Sequence, residues 1–77
     1  MPITTHSAEL RRRRLVAGLT IKDLAERIGY SAGHVNRIEL GMMNGGPRFH
    51  VAAAEALDCR VQDITGDVVP VSKRRAG

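Results

Sequence analysis

A small residue, a glycine and two apolar residues occur in this chain at the spacing that two tightly crossing helices require. Counted from Ile21, they are the fifth residue, Ala25, the ninth, Gly29, the fifteenth, Val35, and the eighteenth, Ile38. The helix backbones approach closely at the crossing, so the contact residue has to be small. The tight turn between them needs a positive φ, which costs a residue with a side chain about 1–2 kcal/mol but leaves glycine unpenalised. The spacing therefore predicts two helices joined by a tight turn, the second with one face bare.

Capping residues and helix breakers divide the rest of the chain into short helices. Ser7, Thr20 and Ser31 are good N-caps, and Pro47 suits the first turn of a helix. The predicted helices cover residues 8–17, 21–28, 31–40, 48–57 and 61–65. Only residues 67–71 could alternate as a strand, and Pro70 would confine that strand to the edge of a sheet. We therefore expect an all-α fold of five short helices.

The length and composition are those of one globular domain. The chain has 77 residues, of which 43% are hydrophobic. We expect a flexible N-terminal arm over residues 1–6, a folded domain over residues 7–66 and a basic C-terminal tail over residues 67–77. A domain of this size buries only about 60% of its unfolded surface, so a partner subunit, most simply a second copy, is expected.

The charge favours an anionic partner. The formal net charge is +4, and ten of the twelve basic residues are arginine. The rigid guanidinium fork suits phosphate oxygens and guanine edges. Either nucleic acid or a membrane surface would satisfy the charge alone.

The sequence lacks the signatures of several classes of protein. Cys59 is the single cysteine, so no internal disulfide can form and a reducing compartment is expected. There is no apolar run of about 20 residues and no signal peptide, so we expect a soluble, cytoplasmic protein without a membrane partner. The three histidines lack metal-ligand spacing, and there is no nucleophile–base pair or cofactor loop. We therefore expect no enzyme activity, metal, cofactor or small-molecule ligand.

Four segments resemble the lambdoid phage repressor and Cro family, also called the xenobiotic-response-element type. Residues 19–29 (LTIKDLAERIG) resemble the opening of that family's helix-turn-helix, and residues 37–41 (RIELG) resemble the end of its recognition helix. Residues 54–57 (AEAL) and 61–64 (VQDI) resemble its last two helices. The resemblance implies a lambda-repressor-like DNA-binding fold whose second and third helices form the helix-turn-helix. It also implies a dimer on a two-fold-symmetric operator.

The resemblance further suggests a structural ion pair. Arg14 matches a basic residue in the first helix of some members, and Glu39 matches an acid in the third. The alternative for Arg14 is a solvated arginine in the run of residues 11–14. Its helical phase with Leu10 favours the pair. The other arginines of that run could approach phosphates, but Glu9 pairs naturally with Arg13 at a spacing of four, so we expect a solvated face.

Candidate base contacts lie on the outward face of the third helix, from Ser31 to Leu40. Arg37 is the best base reader because bidentate arginine to guanine is the commonest specific contact, and Asn36 suits adenine. Several members have glutamines where this chain has small residues, so shape readout could carry part of the specificity. The candidates on this helix are Ala32, Gly33, His34, Asn36 and Arg37.

Candidate backbone contacts flank that helix. Thr20 and Ile21 stand at the start of the second helix, where many members hold a phosphate with glutamine; helix N–H groups there bind phosphate unaided. Residues 47–49 (PRF) resemble a loop of one repressor subgroup, which makes Asn44 and Arg48 candidates. Met42 and Met43 are unusual in a loop expected to meet phosphates, and a dimer contact is one interpretation of them.

These features predict a sequence-specific regulator of transcription that binds double-stranded DNA. We expect a Cro-like repressor that binds a palindromic operator as a homodimer and associates with the nucleoid. One alternative is the antitoxin of a toxin–antitoxin pair, with a toxin or other regulatory protein as partner. Another is a protein-interaction adaptor that has lost DNA binding.

Overall fold

The computed structural model describes residues 3–67, which form four α-helices, one 3₁₀ turn and a two-stranded sheet. In chain order the elements are β1 (Ile3–Thr5), α1 (Ser7–Val16), α2 (Ile21–Ile28), α3 (Ala32–Glu39), α4 (Gly46–Ala56), the 3₁₀ turn (Val61–Asp63) and β2 (Thr65–Asp67). Most of the expected basic tail lies outside the described residues.

The prediction of an all-α fold with five helices is wrong. Residues 61–63 make a single 3₁₀ turn, in which the N–H of Ile64 donates to the carbonyl of Val61 at 3.1 Å. The Thr65 hydroxyl also donates to that carbonyl, and the chain then turns into β2. A turn that runs directly into a strand has no room to propagate as an α-helix.

The sheet joins the two ends of the described chain. Strands β1 and β2 are antiparallel, with Thr4 opposite Gly66 and Thr5 opposite Thr65. Part of the segment expected to be an arm is therefore hydrogen-bonded in a sheet. Each strand has only three residues, which is too short for alternation of polar and apolar residues to be recognised in the sequence.

Helix α2 begins and ends where the sequence predicts, and α3 is one residue shorter at each end than the predicted range 31–40. The Thr20 hydroxyl accepts from the N–H of Asp23, and the Asp23 carboxylate accepts from the N–H of Thr20, which makes a capping box. Gly29 ends α2 with φ +78°, in the left-handed region. The Ser31 hydroxyl then caps α3 by accepting from the N–H of His34.

The outer helices differ from their predicted starts. His6 rather than Ser7 caps α1, through its Nδ1 and the N–H of Glu9. The Ser7 hydroxyl instead donates to the carbonyl of Ile38 at 2.7 Å, which attaches α1 to the end of α3. Helix α4 begins two residues earlier than predicted, at Gly46.

The core is aliphatic apart from one phenylalanine. Small residues, among them Ala25, let the helices approach closely. Val35 and Ile38 are buried, so one face of α3 packs against the core. The largest fully buried side chains are Leu10, Leu24, Val35, Ile38, Phe49 and Ile64. Burial of α3 along one side fixes which of its residues face outward.

Candidate nucleic-acid interface

The outward face of α3 carries most of the predicted base contacts. Val35 and Ile38 are fully buried and Glu39 is 8% exposed, whereas the residues between them face outward. Arg37 has no carboxylate within ion-pair distance among the described residues. The exposed residues of this face are Ala32, Gly33, Asn36, Arg37 and Leu40.

His34 lies at the margin of this face. It is half-buried, and its ring centroid is 5.1 Å from that of Tyr30 and 6.3 Å from that of Phe49. Tyr30 in turn meets Phe49 edge to face at 5.3 Å. The imidazole therefore packs against the turn and α4, so its orientation at the edge of α3 is set by aromatic packing.

A buried ion pair anchors the inner side of α3. Arg14 Nε donates to Glu39 Oε2 at 2.6 Å, and Nη2 donates to Oε1 at 3.0 Å. Nη1 donates to the carbonyl of Leu19 at 2.7 Å. The two side chains are 7% and 3% exposed. One guanidinium thus joins α1, the connection before α2, and α3.

The start of α2 presents a less open phosphate site than the resemblance implies. Thr20 is exposed; its N–H donates to the Asp23 carboxylate, and its hydroxyl accepts from the Asp23 N–H, which leaves only the hydroxyl proton for a phosphate. The hydrogen bond from the Thr20 N–H, supported by its hydroxyl, lowers the pKa of Asp23, so the carboxylate stays ionised at this helix end. Ile21 is half-buried and packs against the core.

The loop before α4 is attached to β1 through the side chain of Asn44. Its Oδ1 accepts from the Thr5 N–H at 2.8 Å and from the Thr5 hydroxyl at 3.0 Å. Arg48 is exposed in the first turn of α4, which follows this loop in the chain. The loop also exposes Met42 (69%) and Met43 (38%).

The Thr5 hydroxyl is the centre of a partly buried hydrogen-bond network that the sequence does not reveal. It accepts from the N–H of Gly45 at 2.9 Å and lies 2.8 Å from His50 Nε2. A hydroxyl has one proton, which Thr5 uses toward Asn44. His50 Nε2 must therefore carry hydrogen and donate. Burial lowers the pKa of His50, which is 3% exposed. No local pattern marks Thr5 or His50, because they lie 45 positions apart.

Positive charge that is not neutralised lies on α1 to α4. Among the described residues, the basic side chains without an ion-pair partner are Arg11, Lys22, Arg27, Arg37 and Arg48. Within residues 3–67, no three potential ligands of the His, Cys, Asp and Glu types cluster to hold a metal ion. None of the four helices is long and apolar enough to cross a bilayer in this part of the chain.

Known proteins share this arrangement. Residues 7–64 match the helix-turn-helix domain family. No curated protein sequence matches the chain. One similar solved structure is the clp gene regulator ClgR from Corynebacterium glutamicum, with a TM-score of 0.71 and 30% identity over 74% of this chain. The chain covers 61% of ClgR.

Two further structures are similar. The restriction-modification controller protein C.AhdI from Aeromonas hydrophila has a TM-score of 0.73 and 28% identity, over 75% of this chain and 88% of its own. The biofilm regulator SinR, solved in complex with DNA, has a TM-score of 0.69 and 23% identity, over 73% of this chain and 90% of its own. At that identity SinR supports the fold alone.

Proposed function

Because the chain belongs to the helix-turn-helix domain family, we propose that it is a sequence-specific regulator of transcription of the Cro-like repressor type. Membership confirms the resemblance drawn from residues 19–29, and the fold is that of DNA-binding transcription regulators. In this proposal α3 enters the major groove of double-stranded DNA, and two copies of the chain bind a palindromic operator.

The observation that carries the proposal is the anchoring of α3. Core residues and the Arg14–Glu39 pair hold its inner side, and its outer side is exposed over the whole helix. The major groove is about 12 Å wide and admits one α-helix. Arg37 and Asn36 are the exposed side chains on α3 that suit guanine and adenine edges, and Ala32 and Gly33 let the helix backbone approach the bases closely.

Backbone contacts would come from the elements beside α3. Arg48 stands beside Phe49 in the first turn of α4, and the ring of Phe49 lies 6.3 Å from that of His34 at the margin of α3. The N-terminus of α2 is the other candidate. The Thr20 N–H is donated to Asp23, but the Thr20 hydroxyl only accepts in the capping box, so it can still donate its proton to a phosphate. Asn44 Oδ1 is an acceptor held by Thr5 and cannot bind a phosphate oxygen. Arg48 carries a full positive charge, so we assign the larger part of backbone binding to this arginine.

Selection of bound duplexes from a random pool tests the proposal. We expect an enriched palindrome with half-site centres about 34 Å apart, one turn of DNA, because two-fold symmetry of a dimer is copied in its operator. Sedimentation of the complex gives the number of chains bound. If no duplex is enriched, the adaptor function replaces this proposal. If a toxin co-purifies from the native host and masks or modifies DNA binding, the antitoxin function does.

A further inference from the structure

We propose that Arg11 binds a phosphate of the DNA backbone beside the recognition helix, an inference that rests on the proposed function. It would be a positioning contact made by α1, outside the helix-turn-helix. The sequence allows all three arginines before Arg14 to approach phosphates and favours a solvated face for them without distinguishing one from another. The structure separates them.

The four arginines of residues 11–14 differ in their ion pairs. Arg12 donates to Glu9 through two hydrogen bonds of 2.6 and 3.0 Å, and Arg13 donates to the same carboxylate at 2.9 Å. The Arg12 hydrogen bonds, followed by smaller contributions from the Arg12 and Arg13 charges, lower the pKa of Glu9 to about 2, so Glu9 is ionised near neutral pH. Arg14 is neutralised by Glu39. Within residues 3–67, Arg11 alone of the four has no carboxylate partner.

The position of Arg11 directs this charge toward the DNA-binding side. Arg11 lies on the wall of a surface depression of about 300 Å³ between α1, α2 and α3, together with Asn36 and Leu40. It precedes Arg14 by one helical turn, so both side chains leave α1 on the side of α3. Asn36 belongs to the exposed face of α3.

The chemistry of the depression favours a phosphate over a base. The Arg14–Glu39 pair beneath it is neutral as a unit, so Arg11 supplies the one uncompensated charge of the depression. A helix in the major groove has the phosphates of both DNA strands along its sides. Helix α1 packs against α3 through the Arg14–Glu39 pair, so it lies on the side of α3 where such phosphates run. The contact would therefore add affinity for any sequence and position α3 in the groove.

The test compares Arg11→Gln with Arg12→Gln as a matched control. Both side chains are exposed and lie on one helix, but the Arg12 charge is already satisfied by Glu9. Binding to the selected operator and to an unrelated duplex is followed by fluorescence anisotropy at several salt concentrations. Each neutralised phosphate contributes about −0.9 to the slope of log K against log salt, so Arg11→Gln should flatten the slope by about 0.9. At about 0.1 M salt this corresponds to roughly eightfold weaker binding of both duplexes.

The remaining outcomes distinguish a failure of the Arg11 inference from a failure of the proposed function. Arg12→Gln should bind within about twofold of the unmodified chain, and Arg11→Lys should restore the slope because it restores the charge. If Arg11→Gln has the affinity and slope of Arg12→Gln, or if it weakens the operator alone, the inference is overturned while the proposed function stands. If the unmodified chain shows no salt-dependent binding to any duplex, the proposed function has failed and the inference with it.

Discussion

Arg14 and Glu39 face each other across the interface of α1 and α3 and share two hydrogen bonds in a place that solvent hardly reaches. With the third hydrogen bond of Arg14, to the carbonyl of Leu19, each of the three guanidinium nitrogens donates within the protein. This pair sets the position of the helix that we propose to read DNA, so its disruption has consequences for both stability and binding.

Replacing only one member of the pair should be more damaging than replacing both. Glu39→Gln leaves a buried guanidinium without its counter-charge and should lower the free energy of unfolding by about 3–5 kcal/mol. The double variant Arg14→Met, Glu39→Leu removes both charges and should recover most of that loss. Urea unfolding of the single and double variants measures the difference. Equal destabilisation by the two variants would contradict a stabilising role of charge compensation.

Arg37→Ala should weaken operator binding by about 1–3 kcal/mol and relax the preference at one base pair, since a bidentate contact to guanine is lost. Arg60→Ala is the control, because Arg60 is exposed and its side chain pairs with Asp63 away from α3. Binding is measured on the operator and on its single-base variants. A loss of the same size on every duplex would assign Arg37 to a phosphate instead.

Alanine at Gly29 and at Gly33 should act in opposite directions. Gly29 has φ +78°, so an alanine there should cost about 1–2 kcal/mol of stability. Gly33 lies within α3, and an added Cβ would meet nothing within 4 Å, so Gly33→Ala should stabilise the chain by up to about 1 kcal/mol. Thermal unfolding of both variants tests the signs. A stable Gly29→Ala variant would argue against a turn that depends on left-handed backbone.

Stability should fall as the pH drops below about 6.5, the ordinary pKa of histidine. Burial lowers the pKa of His50 in the folded chain, so below that value the unfolded chain binds more protons and gains stability relative to the folded one. The contribution of neutral His50 to stability is complete above the pKa that His50 has in the unfolded chain. It is lost as the pH falls toward the lower pKa of His50 in the folded chain. Urea unfolding at pH 7.5 and at pH 5.5 (about 1 unit either side) should show the decline, and His50→Gln should flatten it. An unchanged decline in that variant would assign it to another group.

The parts of the fold that depend on near neighbours could be predicted from the sequence. The caps at Thr20 and Ser31 and the turn at Gly29 involve residues at most four positions apart, so their types alone indicate the hairpin. The inward positions Val35 and Ile38 follow from helical spacing. The outward face of α3 was therefore predictable as well.

The parts that depend on distant contacts could not be predicted. The sheet joins Thr4 to Gly66, 62 positions away, and neither strand has a pattern of its own. The difference between Arg11 and Arg12 depends on the direction in which the Glu9 carboxylate reaches, and spacing equally allowed a bond to Arg13 alone. The use of Asn44 to hold β1 likewise follows from tertiary structure.

The loop before α4 cannot be transplanted by itself, because its hydrogen bonds depend on Thr5 in β1. Asn44, Gly45 and His50 each complete their hydrogen bonds on a residue about 40 positions earlier in the chain. A chimera that transplants this loop into another member of the family would leave those groups unmatched unless the first strand travels with it. Exchange of this loop among members of the family should therefore succeed when the loop and the first strand are moved together.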